Sequence, residues 1–363
     1  MCPFVVFENV SIFLFVELIT ALYYNVIENK TAKIKNTKIN FKGDLKDMKK
    51  KISTGALARS KNPFFRDIAK NPYLYIMILP LVAFYIVFCY VPMYGAIIAF
   101  KDYSPGLGIM GSPWTSDFGL HHFKDFITGP YFSRVFGNTV VLGLADLVFG
   151  FPAPLIFALL LNELRSRTFK RVCQTITYVP HFISLVVVCG LLQIFLGREG
   201  VVSDLLAMFG VERSNLLAQP QYFKTIFVAS NIWQEIGWGS IVYLAALGSI
   251  DPGLYEAAEV DGAGRFRQIW HVTLPGIIPT IVTLLILKTG KVFSVSFEKI
   301  ILLANDMTAE KADVISSFVY ERGLVDMDYS YSTAVGLINS VLNFIIIFAT
   351  NFICRRVSET SLW

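Results

Sequence analysis

The sequence predicts an all-α protein that crosses a membrane several times, and three observations carry this. Of 363 residues, 54% are hydrophobic and only 16% charged, with a mean hydropathy of +0.56, well above the soluble mixture. Six apolar runs reach the roughly 20 residues that a helix needs to cross a hydrocarbon core about 30 Å thick. Basic residues gather in alternate connections, as the positive-inside rule requires of cytoplasmic segments. Each crossing must be helical, because lipid offers no partner to a free backbone N–H or C=O.

Residues 1–27 form an apolar N-terminal extension. It lacks a basic leading region and a small-residue cleavage site, which argues against a cleaved signal peptide. Glu8 and Glu17 leave open both an extra membrane helix and an interfacial one. Residues 28–71 read as a basic cytoplasmic linker: between 30 and 70, about a dozen Lys and Arg face three acids. The tract has no interleaved aromatics on a folded platform, so anionic lipid and topology explain it better than nucleic acid does.

The predicted crossings cover about 74–100, 136–162, 173–197, 223–248, 276–303 and 332–354. Pro80, Pro92, Pro152, Pro154 and Pro180 fall inside them and predict kinks that packed neighbours must support. The connection NELRSRTFKR and the tail CRRVSETSLW are basic and join the N-terminal tract in the cytoplasm. Segments 101–133, 198–222 and the net acidic 304–331 then lie outside. Cys2, Cys89, Cys173, Cys189 and Cys354 show no CxxC spacing, so neither a disulfide framework nor a zinc site is indicated.

Between the fourth and fifth runs the chain turns polar, in LYEAAEVDGAGRFRQIWHVTLP. Asp251 before Pro252 is a helix start, an N-cap carboxylate followed by a residue whose missing N–H is harmless at the first position. A short helix through Leu254 to about Val260 puts Leu254, Ala257, Ala258 and Asp261 on one narrow side. Gly262 and Gly264 should end it, since glycine permits the positive φ of a turn. Phe266, Ile269, Trp270 and Leu274 then recur at helical spacing opposite Arg265 and Arg267, predicting an amphipathic helix under the bilayer, with Pro275 opening the next crossing. Periodicity alone equally allows an ordinary surface loop.

Glu256-Ala257-Ala258, Asp261-Gly262-Ala263, Ile269 and Leu274-Pro275 resemble the EAA signature of permease subunits of binding-protein-dependent ABC importers. The longer YEAAEVDGAG…IWHVTLPGIIP resembles the carbohydrate branch. ILPLVAFYIVFCYVPMYGAIIAFKDYSP, ADVISSFVYERGL and the terminal SLW resemble its polysaccharide-type subgroup. The likeness covers 72–363, which it implies is a six-helix permease domain with the coupling loop at 251–275; residues 1–71 depart from the family's usual short N-terminus.

The resemblance implies a mechanism and partners. The loop docks in a cleft of a separate ATPase subunit, and closure of two ATPases swings the helices. Glu256 makes polar contact there, Ala257 and Ala258 permit close seating beside Asp261, and Gly262 shapes the turn. The implied partners are a second, different permease, two ATP-binding subunits that carry ATP and magnesium, an extracytoplasmic solute-binding protein and an oligosaccharide. This chain itself holds no cofactor and catalyses no reaction.

Ionisable groups within apolar runs are costly and usually pair or line a pathway; Asp146, Glu235, Lys288, Lys291 and Glu298 are so placed. Asn231, Trp233, Gln234, Glu235 and Trp238 combine rings with hydrogen-bonding groups, as sugar recognition needs. Lys288, Ser294, Ser296, Phe297 and Glu298 offer a similar mixture, and the resemblance puts their helix beside the translocation path. The alternative is structural: Lys288 and Glu298 pairing across helices, Trp233 and Trp238 packing or belting the membrane.

A proton-coupled secondary sugar carrier is the main rival reading; it needs no docking loop and often shows repeated halves, which this sequence lacks. A membrane glycosyltransferase is a further one, resting on the DMD triplet Asp326–Asp328. His121-His122 lack a third metal ligand. HExxH, GxSxG and GxxxxGK[ST] patterns do not occur, so ATP must be handled by another polypeptide.

Overall fold

The computed structural model describes residues 72–357. The expectations for residues 1–71, and for the terminal SLW, lie outside the described residues. These fall in two compact units that meet in sequence at Ala96–Ile97. Their regular structure is helical, with one isolated antiparallel bridge between Lys101 and Trp114.

In the first unit, helix α1 (Pro72–Tyr85) continues through a wide turn at Ile86–Tyr90. The second unit contains α2 (Phe132–Ala145), α3 (Pro152–Glu163), α4 (Arg167–Phe182), α5 (Leu185–Leu196) and α6 (Pro220–Leu247). It continues with α7 (Pro252–Val260), α8 (Leu274–Thr289), α9 (Phe297–Leu303), α10 (Ile315–Tyr320) and α11 (Tyr329–Val357). Five continuous stretches are long and apolar enough to cross a membrane: Tyr75–Phe100, Phe132–Glu163, Leu185–Met208, Arg265–Thr289 and Tyr329–Arg355.

The helix that falls short of that apolarity, α6, has 28 residues and is the hub of its unit, packing most extensively on α3 and α4. Two of its polar positions, Ser230 and Ser240, are buried against protein. Gly237 makes the closest of these approaches: a Cβ there would drive into the Thr177 carbonyl of α4. Three apolar clusters fill the second unit. One joins Leu142, Cys189, Phe223, Phe227 and Ile300, a second joins Phe126, Val135, Ile315, Phe318 and Val335, and a third joins Ala158, Tyr243, Leu247 and Ile277.

The prolines are accommodated in a recurring way. Proline lacks the donor for the carbonyl four residues back and clashes with it. In three places the residue just before a proline instead reaches five residues back, widening one turn. Val91 N bonds Ile86 O before Pro92, Phe151 N bonds Asp146 O before Pro152, and Leu274 N bonds Ile269 O before Pro275. This corrects the expectation that Pro275 opens a crossing: it sits inside a helix running unbroken from Arg265 to Thr289.

Two runs read as single crossings are broken. The run 173–197 divides at Ile183–Ser184, where Pro180 ends α4 and the Ser184 hydroxyl caps α5 by accepting from Val187 N (3.4 Å). The run 276–303 divides at 290–296, between α8 and α9. Irregular backbone at this depth needs partners from neighbouring helices. Phe293 N donates to Asn343 Oδ1 on α11 (3.1 Å), and Ser316 Oγ on α10 donates to Val295 O (2.7 Å).

Candidate functional site

The polar loop between α6 and α8 is a braced projection. Asp251 caps α7, its Oδ1 accepting from Gly253 N at 2.9 Å, with Pro252 at the first turn. The helix closes through Ala263 N to Ala258 O (2.9 Å). Gly262 carries the turn at φ +74°, a conformation side chains resist. Gly264 is extended instead, at φ −67° and ψ 165°, and starts the next helix.

Three side-chain contacts fix the loop to the helices behind it. Tyr255 Oη lies 3.0 Å from Thr273 Oγ1, which is buried at the base of the next crossing. Gln268 Nε2 donates to Ala263 O (3.0 Å), and Arg265 pairs with Glu163 at the end of α3 (3.1 Å). Glu256, Ala257 and Asp261 are exposed, and Ala258 is half-buried. Leu274 and Pro275 lie in the crossing itself, not in the projection. The segment 265–273 is not a separate helix lying under the bilayer but the first turns of that crossing. Val260 and Phe266 are 88% and 82% exposed, adding apolar surface beside the alanines.

Deeper in the unit, two adjoining cavities of about 290 and 210 Å³ share Asp146, Asn231, Lys288 and Ser296. Of the candidates read from sequence, Asp146, Asn231, Gln234, Glu235, Lys288, Lys291, Ser294 and Ser296 line them. Trp233, Trp238, Phe297 and Glu298 do not. Lys288 is ion-paired with Asp146. Glu235 is engaged by His181, whose Nδ1 lies 3.1 Å from both carboxylate oxygens. The His181 ring stacks on Trp238, centroids 4.6 Å apart. Phe297 stacks on Tyr320, and Ser296 Oγ donates weakly to Glu298 at 3.4 Å.

Two participants went unread in the sequence. Lys299 is 1% exposed and donates to Asn231 Oδ1 at 2.6 Å; its position in the same apolar run as Lys288 was the available signal. His181 gave none, because the pairing with Glu235 spans 54 residues.

A family model described as the inner membrane component of binding-protein-dependent transport systems matches residues 150–359. The chain belongs to this family. It is 43% identical over 297 residues to the protein LplB of Bacillus subtilis (strain 168), covering 82% of this chain and 92% of that one. The same identity and coverage relate it to the polygalacturonan/rhamnogalacturonan transport system permease protein YteP of that strain. A chain in the crystal structure of a bacterial alginate ABC transporter, in complex with an alginate pentasaccharide-bound periplasmic protein, is 41% identical with a TM-score of 0.76. That match covers 83% of this chain and all of the other.

Membership makes the chain a multi-pass inner-membrane permease, a transport component rather than an enzyme. It supports neither rival. The carboxylates of the DMD triplet are engaged locally, Asp326 by Arg322 (2.9 Å) and Asp328 by Tyr331 N at the start of α11 (3.1 Å). His122 pairs with Asp102 (3.2 Å).

Proposed function

We propose that this permease carries oligosaccharides, handed over outside by a solute-binding protein, through a path shared with a second permease. Two ATP-binding subunits, which hold the ATP and magnesium, drive it from the cytoplasm. The observation that carries the reading is the projection at 251–264: exposed, capped at Asp251, and tied by Tyr255 and the Ala263 carbonyl to the foot of the crossing, which Arg265 in turn joins to α3 at Glu163. A knob that is rigid in itself and fixed to the crossings behind it transmits displacement instead of absorbing it.

Glu256 and Asp261 offer polar contacts to the ATPase cleft, Ala257 and Ala258 let its wall come close, and Gly262 holds the turn. Leu274 and Pro275 continue that rigid element into the membrane. The cavity around Asn231, Gln234, Glu235, Lys288 and Ser294 supplies directed donors and acceptors to sugar hydroxyls. Trp233, Trp238, Phe297 and Glu298, outside it, support the helices that shape it. The likeness to YteP and to the alginate transporter supports an oligosaccharide as cargo.

The test is reconstitution with the partner permease, the ATP-binding subunits and the binding protein in proteoliposomes. Uptake should require ATP and every partner, and Ala258→Trp should abolish it while the two permeases still fold and purify together. Uptake by the chain alone, driven by a proton gradient, overturns the proposal.

A further inference from the structure

Together the two adjoining cavities are lined by three lysines, Lys288 in both, Lys299 in the larger and Lys291 in the smaller, against two carboxylates, Asp146 and Glu235. Both carboxylates are committed: Asp146 to Lys288, Glu235 to His181. Lys299 is different. It is 1% exposed, and among the described residues its ammonium donates to one neutral acceptor, Asn231 Oδ1, and sits 5.5 Å over the Phe227 ring. Asp146 and Glu235 are near enough to act on it through space, yet neither forms an ion pair with it. An ammonium carries three N–H donors, so this one keeps donors to spare. Lys291 borders the adjoining cavity and forms no ion pair among the described residues.

A buried ammonium without a carboxylate is expensive in a low-dielectric site unless something brings the missing charge. We infer that the missing charge is supplied by the cargo: the permease moves acidic oligosaccharides, whose uronate carboxylates are received by Lys299 and Lys291. This rests on the oligosaccharide reading above and narrows it. A sugar carboxylate is ionised at neutral pH and accepts charge-assisted hydrogen bonds about twice as strong as those between neutral groups. A neutral sugar leaves the buried Lys299 ammonium uncompensated, and makes no use of the exposed Lys291 charge beside it. Asn231 then has a second role: by holding Lys299 from one side it aims the remaining donors at the cavity.

The experiment uses the complete importer with its binding protein in proteoliposomes, offered digalacturonate and neutral galactobiose together, with both counted inside by mass spectrometry. Digalacturonate should accumulate at least tenfold over galactobiose. Lys299→Met and, separately, Lys291→Gln should each cut that ratio severalfold. The binding protein is the same in every vesicle, so differences between variants read this chain. Should Lys299→Met not assemble, the exposed Lys291 still decides. Equal or faster entry of galactobiose, or an unchanged ratio in an assembled variant, overturns the acidic assignment and leaves oligosaccharide import standing. If neither disaccharide enters, nor a panel of neutral trisaccharides, both readings fall.

Discussion

The phenol of Tyr255 and the hydroxyl of Thr273 lie 3.0 Å apart, joining the exposed helix α7 to the buried base of the crossing that ends at Thr289. Without this bond the projection would hang on its two chain connections and on the single Gln268–Ala263 hydrogen bond. A neutral hydrogen bond contributes about 0.5–1.5 kcal/mol. Tyr255→Phe should therefore keep the complex assembled and lower sugar moved per ATP hydrolysed by roughly two- to tenfold. Parallel uptake and phosphate-release assays on the same vesicles check it; an unchanged ratio refutes the strut.

The two glycines of the turn should separate cleanly. Gly262 sits at φ +74°, where a Cβ meets the following carbonyl at a cost of about 1–2 kcal/mol. Gly264 is in an ordinary extended conformation with open space around it. Gly262→Ala should weaken capture of the ATP-binding subunit in a pull-down, whereas Gly264→Ala should match the parent chain. Equal behaviour of the pair contradicts the turn geometry.

Within the second unit, α4 rests directly on α6 at Gly237, where a side chain would strike the Thr177 carbonyl. Backbone cannot move aside as a flexible side chain can, and overpacking of this kind costs about 1–3 kcal/mol. Gly237→Ala should lower the thermal midpoint of the purified complex by several degrees. Gly190→Ala on α5, with nothing within 4 Å, is the control and should leave the midpoint in place.

What could be read from the sequence follows from the range of the forces involved. The capped helix from Asp251 and the turn at Gly262 depend on neighbours a few residues away, so residue types alone announce them. Hydropathy gives the length of a crossing but not its interruptions: the break at 290–296 rests on partners such as Asn343, far along the chain, and the break at 183–184 on a Ser184 cap that an apolar average passes over. Pro275 misled for a related reason. Its helix-starting preference is real, but the preceding turn widens to absorb it. Lys299 was hidden by its company, since only the fold brings Asn231 to it across 68 residues.

Arg134 holds Asp313 at 2.8 Å and also lies 5.5 Å over the Tyr131 ring. Burial raises the Asp313 carboxyl above its ordinary range; Arg134 opposes that rise, and Glu321 adds to it. A carboxyl raised by folding binds its proton more tightly in the folded than in the unfolded chain. It therefore favours the fold below the unfolded value, and that advantage is lost as pH climbs through the folded one. Arg134→Met removes the opposing cation, so the carboxyl should rise further and the loss with pH should steepen. The stacking on Tyr131 disappears too, but that part does not depend on pH. Thermal unfolding of parent and variant should accordingly show a deficit already present near pH 4.5 and clearly larger near pH 8. A deficit of the same size at both pH values assigns Arg134 to ring packing alone and removes Asp313 from the account.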